Sequence, residues 1–73
     1  VKTMEFKDRL KELREEHGMS QIEISKAIFD TYSTIEYYEN GYLPDINNII
    51  KIADYFGVII DYLVGRNNER KSK

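Results

Sequence analysis

The chain has 73 residues, with 11 Lys and Arg against 13 Asp and Glu, one histidine, no cysteine and a formal net charge of -2. A domain of this size buries only about 60% of the surface its unfolded chain exposes, so one small core is all it can build. The absence of cysteine excludes a disulfide framework or thiolate metal site, and His17 alone cannot supply a structural zinc, so no metal and no cofactor are expected. The acidic balance points away from a protein that coats DNA by charge alone. Apolar runs such as Val58-Ile59-Ile60 fall far short of the roughly 20 residues that cross a bilayer. V-K-T-M-E-F has no signal peptide's apolar stretch, so the expected setting is cytoplasmic, with no membrane partner.

Phe6, Leu10 and Leu13 fall at i, i+4 and i+7 among Lys, Asp, Arg and Glu, which predicts an amphipathic helix over 5–16, ended by Gly18. His17 reads as a cap, or as a cation favoured at a helix C-terminus. Ser20 and Glu23 make a capping-box pattern, so a second helix is predicted over 21–28. Its inner face would carry Ile24, Ala27 and Ile28, with Ala27 small enough for another helix to approach. Thr31 is placed to cap a third helix that buries Ile35 and Tyr38 and stops at Asn40-Gly41. Pro44-Asp45 opens a fourth, with the inner stripe Ile46, Ile49, Ile50, Ala53 and Phe56 and a stop at Gly57. A short fifth helix over 60–64 closes at Gly65, and R-N-N-E-R-K-S-K then has no apolar member. The expected organisation is a flexible lead over 1–4, an all-α five-helix domain over 5–65 and a basic flexible tail over 66–73. No pair of alternating apolar strands occurs, which disfavours a β-rich fold.

Two short helices about three residues apart, the second capped by threonine and ended by Asn-Gly, are what a helix-turn-helix requires. The segments G-M-S-Q-I-E-I-S-K-A-I, S-T-I-E-Y-Y-E-N-G-Y-L-P-D and I-I-K-I-A-D-Y-F-G-V-I-I-D-Y-L-V-G-R lie in one order and spacing over about residues 6–66. In that arrangement the chain resembles the Cro/C1-type helix-turn-helix (XRE) family of phage and bacterial regulators. The resemblance implies a compact lambda-repressor-like domain that binds double-stranded DNA and regulates transcription, as a repressor, by inserting the third helix into the major groove.

The family's roles carry over position by position. Gln21 and Thr31 match phosphate-contacting positions; read from the residues alone, Gln21 is a solvated first-turn residue and Thr31 a simple cap. Tyr32, Ser33, Thr34 and Tyr37 match base-reading positions, although either tyrosine also fits a plain surface aromatic. Asn40, Gly41 and Tyr42 match a loop that offers backbone N–H groups to phosphate, and equally an ordinary helix end. Arg14 and Glu39 match a salt bridge that holds the third helix at its working angle. Family members dimerise through the C-terminal helix, which places two recognition helices about 34 Å apart on a palindromic operator.

The sequence departs from the family pattern in three places. Where the family turn has Gly followed by an apolar residue, this chain has Phe29 and Asp30. The positive φ that Gly provides costs a residue with Cβ about 1–2 kcal/mol. The paired exchange suggests that Phe29 fills the apolar pocket while Asp30, which tolerates left-handed geometry, makes the turn. From Gly18 to Gly65 there are two basic residues, Lys26 and Lys51, against seven acidic ones, a net of -5. The remaining cations, among them Lys7, Arg9, Lys11, Arg14, Arg66 and Arg70, sit toward the two ends, where some would reach the flanking DNA backbone. Ile59 replaces a polar helix cap; with Tyr55, Val58 and Tyr62 it is expected to form an exposed apolar patch and the interface of a homodimer.

The alternative of a different class is a protein-interaction module on the same fold, or the targeting domain of a longer regulator, with weak or no DNA binding of its own. An enzyme is disfavoured, because the carboxylates are spread along helix surfaces with no convergent acid and base.

Overall fold

The computed structural model describes residues 4–71. Five helices follow one another: α1 (Phe6–Glu16), α2 (Gln21–Phe29), α3 (Thr34–Glu39), α4 (Ile46–Phe56) and α5 (Ile60–Leu63), with no strand among the described residues.

Local chemistry sets most boundaries. α1 ends at His17, whose ring Nδ1 lies 2.9 Å from the Leu13 carbonyl. Gly18 then turns left-handed (φ 66), and the Gly18 and Met19 N–H groups return to the Glu15 and Arg14 carbonyls, closing the last turn. Ser20 and Glu23 form the reciprocal capping box at the start of α2, with bonds of 3.0 and 2.8 Å. The Asp45 carboxylate accepts the Asn48 N–H at 2.9 Å to start α4, and Gly57 (φ 69) ends it.

α3 starts later than its sequence suggests. The N-cap position belongs to Ser33, which makes no side-chain cap bond, and Thr31 instead pairs its hydroxyl with that of Thr34. The turn before it is made by Asp30, the one described non-glycine residue with positive φ (57°). Its N–H closes α2 on the Lys26 carbonyl at 3.1 Å. Phe29 keeps helical geometry and is partly buried, meeting the Tyr38 ring edge-on at 6.2 Å. The exchange at these two positions therefore divides the labour as expected.

The core gathers Phe6, Leu10 and Leu13 of α1, Ile24 of α2, Ile35 and Tyr38 of α3, Ile52, Ala53 and Phe56 of α4, and Tyr62 and Leu63 of α5. Two sequence expectations are corrected here. Ala27 is exposed, and the close approach to α2 is made at Ser25, which is fully buried. On α4, Ile46 and Ile50 are 60% and 41% exposed while Ile52 is fully buried. Isoleucines at 46, 49, 50 and 52 occupy more than one side of that helix, so periodicity alone cannot choose the inner stripe.

The expected apolar patch near α5 does not form. Tyr62 is buried, Val58 and Ile59 are half-buried against the core, and only Tyr55 stays exposed. The cause lies in the residues after Gly65. Arg66 and Asn67 cap α5 through the Asp61 carbonyl, and the Arg70 carbonyl accepts the Ile59 N–H at 2.8 Å. The Arg70 side chain forks onto Glu16 and donates to the Tyr62 hydroxyl at 2.9 Å, while Arg9 donates to Asn68 at 3.1 Å. Residues 66–70, expected as a free tail, thus fold back over α1 and α5; Ser72 and Lys73 of that tail, and Val1–Thr3 of the expected lead, lie outside the described residues. Gly65 is needed where Met4 packs against the end of α5, because a Cβ at its φ of 86° would sit 1.8 Å from the Met4 carbonyl oxygen.

Candidate nucleic-acid interface

α2 and α3 are joined by Asp30, Thr31, Tyr32 and Ser33; two hydrogen bonds fix α3 against α2, and an ion pair fixes it against α1. Inside the joint, Ser25 Oγ accepts the Ile35 N–H at 2.8 Å, supplying from α2 the cap that Ser33 does not give α3. At the far end, Glu39 receives Arg14 through two bonds, Nε to Oε2 at 2.7 Å and Nη2 to Oε1 at 3.1 Å. Gln21 Nε2 adds a third at 3.0 Å, and Arg14 Nη1 also donates to the Met19 carbonyl at 3.0 Å. Both charged side chains are largely withdrawn from water, 13% and 5% exposed. The hydrogen bonds that Arg14 donates to Glu39 raise the Arg14 pKa above its ordinary value, against the opposing effect of burial.

The sequence-predicted residues distribute unevenly over this frame. Tyr32 (70%) and Tyr37 (51%) are exposed, as is Ser33, which lies one turn before Tyr37 on α3. Thr34 is half-buried and tied to Thr31. Of the expected phosphate contacts, Asn40 and Tyr42 are exposed, while Gln21 and Thr31 are half-buried and already engaged. Tyr42 stacks face to face on Tyr37.

Cations are scarce on this surface. Lys26 binds the Asp30 carboxylate at 2.6 Å and stands 5.2 Å from the Tyr32 ring centre. Several of the cations assigned to the flanks are used internally. Arg9 is buried with its guanidinium 3.9 Å from the Tyr62 ring centre, Arg14 holds Glu39, and Arg70 holds Glu16. Sequence reasoning missed Ser25 and Asn48, whose Nδ2 donates to the buried Tyr38 hydroxyl at 2.8 Å. Both partners lie ten residues away in another element, so neither leaves a local pattern.

The helix-turn-helix family model matches residues 10–63, three quarters of the chain and all of this frame. The chain belongs to the Cro/C1-type helix-turn-helix family. In helix-turn-helix terms α2 and α3 are the two helices of the motif. Two curated relatives are similar along most of the chain. The HTH-type transcriptional regulator ImmR of Bacillus subtilis (strain 168) is 30% identical over 69 residues, 93% of this chain and 54% of the relative. The cryptic phage CTXphi transcriptional repressor RstR of Vibrio cholerae serotype O1 is 34% identical over 64 residues, 86% of this chain and 57% of the relative. The chain therefore spans little more than half the length of these relatives. No solved structure gives a significant match.

Proposed function

We propose that the chain is the DNA-binding part of a sequence-specific transcriptional repressor, which lays α3 in the major groove of double-stranded DNA and acts as a homodimer on a palindromic operator. The observation that carries this reading is the fixing of α3 against α2 by Ser25 and Gln21 and against α1 by the Arg14–Glu39 pair, with Tyr32, Ser33 and Tyr37 exposed. The names of the two relatives, a transcriptional regulator and a transcriptional repressor, agree with it.

Without an arginine or lysine on α3, base discrimination rests on hydroxyl hydrogen bonds, apolar contact with thymine methyls and DNA shape. Asn40 and the backbone N–H of Tyr42, with the open valences of Gln21 and Thr31, are the proposed backbone contacts. For the dimer, Ile46 and Ile50 lie four residues apart on the exposed side of α4, just after the exposed Leu43. That surface takes the place of the α5 patch; Tyr55, the one member of the earlier set still exposed, lies nine residues from Ile46 and so on the opposite side of α4.

Selection from a randomised duplex library, followed by fluorescence anisotropy, tests the proposal. A palindromic consensus bound well above random DNA is expected. Absence of any enrichment favours the second reading, a protein-interaction module, for which the same apolar α4 surface speaks.

A further inference from the structure

Tyr37 and Tyr42 belong to different segments, α3 and the loop after it, yet their rings are parallel within 6° with centres 4.2 Å apart. Gly41 makes this possible. Its φ of 108° belongs to a region that side chains with Cβ avoid, and it turns the chain so that the next residue returns over the helix. Tyr37 also touches Tyr38, 5.9 Å away between ring centres. Tyr38 is anchored in the core by Asn48 at its hydroxyl and by edge contacts with Phe6 and Phe29. The exposed tyrosine of α3 is thus held by a buried ring and by a loop ring before any DNA arrives.

An unsupported tyrosine on a helix surface exchanges among rotamers and must give up that freedom on binding. The stack removes the freedom in advance. It also covers one face of Tyr37 and orients the rest of the ring, whose hydroxyl suits a base-edge hydrogen bond and whose carbons suit a thymine methyl.

We propose that Tyr42 is a positioning residue for base discrimination: by stacking on Tyr37 it holds that ring in the orientation that reads a base pair, and its own hydroxyl is not a phosphate contact. The inference rests on the DNA-binding reading above. It gives the side chain of Tyr42 a role drawn from ring geometry, beside the backbone N–H contact that family position gives this loop.

Wild-type protein, Y42F, Y42A and Y37A are compared on DNA selected by the wild type, with single base-pair changes across the site and a salt titration for each variant. Circular dichroism confirms that each variant is folded. In the free proteins, nuclear Overhauser contacts report on the stack. The expected result is a Tyr37–Tyr42 ring contact in wild type and Y42F, with full discrimination in both. Y42A loses about threefold to tenfold of its preference at the base pair where Y37A loses it, with other positions and the salt slope unchanged. A loss of affinity in Y42F that is uniform across all the sites marks a phosphate contact of the hydroxyl and overturns the proposal. So does a Y42A profile identical to wild type, or the absence of the ring contact. If the wild type selects no consensus while the ring contact is present, the DNA-binding reading has failed, and the positioning role falls with it.

Discussion

Ser25 Oγ, fully buried on α2, accepts the backbone N–H of Ile35, the second residue of α3, at 2.8 Å. A six-residue helix has too few internal bonds to hold itself, so its orientation is set by what caps and clamps it. Ser25→Ala leaves that N–H buried without an acceptor. The expected cost is about 1–3 kcal/mol, seen as a lower urea midpoint with an unchanged m-value. An unchanged midpoint would mean that α3 is oriented elsewhere.

The clamp at the other end is the Arg14–Glu39 pair. Removing the cation strands a carboxylate whose side chain is 5% exposed, so Arg14→Met is expected to cost about 3 kcal/mol. Arg14→Met with Glu39→Met recovers most of the loss, since no buried charge is then left. A double-mutant cycle by denaturant unfolding measures the coupling, and additive effects would remove the clamp from the account.

These two contacts mark how far the sequence is legible. Helix ends written in short patterns, such as Ser20 with Glu23, Asp45, Gly18 and Gly57, are local chemistry and can be read directly. Phe29 and Asp30 are legible as a pair because φ restricts which of them can turn. Tyr62 is not, because its surroundings come from afar: Arg9 and Glu12 on α1 and Arg70 after α5. The same holds for Ile46 and Ile50, whose exposure depends on which of several apolar sides α4 turns inward. The three exposed tyrosines near α3 are visible in the sequence, but the stack between two of them is not.

The capping box makes stability depend on acid. Hydrogen bonds from the Ser20 backbone and then its side chain hold the Glu23 pKa below its ordinary value. A carboxylate lowered in the folded state contributes stability that is fully present above its unfolded pKa and is lost as pH falls through the folded value. Thermal stability is therefore expected to fall on acidification below the usual carboxylate range, and Glu23→Gln to flatten part of that fall. Glu16, lowered by its hydrogen bond to Arg70, acts in the same direction, so Glu16→Gln with Glu23→Gln should flatten it further. An unaltered melting profile against pH would contradict this.

Asp30 puts a negative charge in the turn beside α3 and occupies Lys26 at 2.6 Å. Asp30→Asn keeps a side chain that tolerates left-handed backbone while it frees the lysine. DNA affinity is expected to rise, and more so at low salt. Lys26 and Lys51 are the two cations from Gly18 to Gly65, so a dimer offers four there. At about 0.9 per phosphate the wild-type slope of log K against log salt should be no steeper than about −4. Anisotropy titrations over a range of salt read both effects. A much steeper slope would show that cations outside this stretch reach the backbone.

The exposed isoleucines of α4 set the last expectation. Ile46 and Ile50 are one turn apart, and burying both against a second copy would remove apolar surface worth several kcal/mol across a twofold interface, at about 25 cal/mol per Å2. A carboxylate buried there loses its hydration, the adjacent Lys51 projects about 100° round the helix from it, and two copies would bring two such charges together. Ile50→Glu is therefore expected to give a monomer by analytical ultracentrifugation at concentrations where the wild type is a dimer. At concentrations too low for dimerisation its melting temperature should match the wild type's, because Ile50 is 41% exposed in the single chain. Affinity for an isolated half-site should persist while affinity for the full palindrome falls. If Ile50→Glu stays dimeric and Tyr55→Glu dissociates, the interface lies toward the other end of α4.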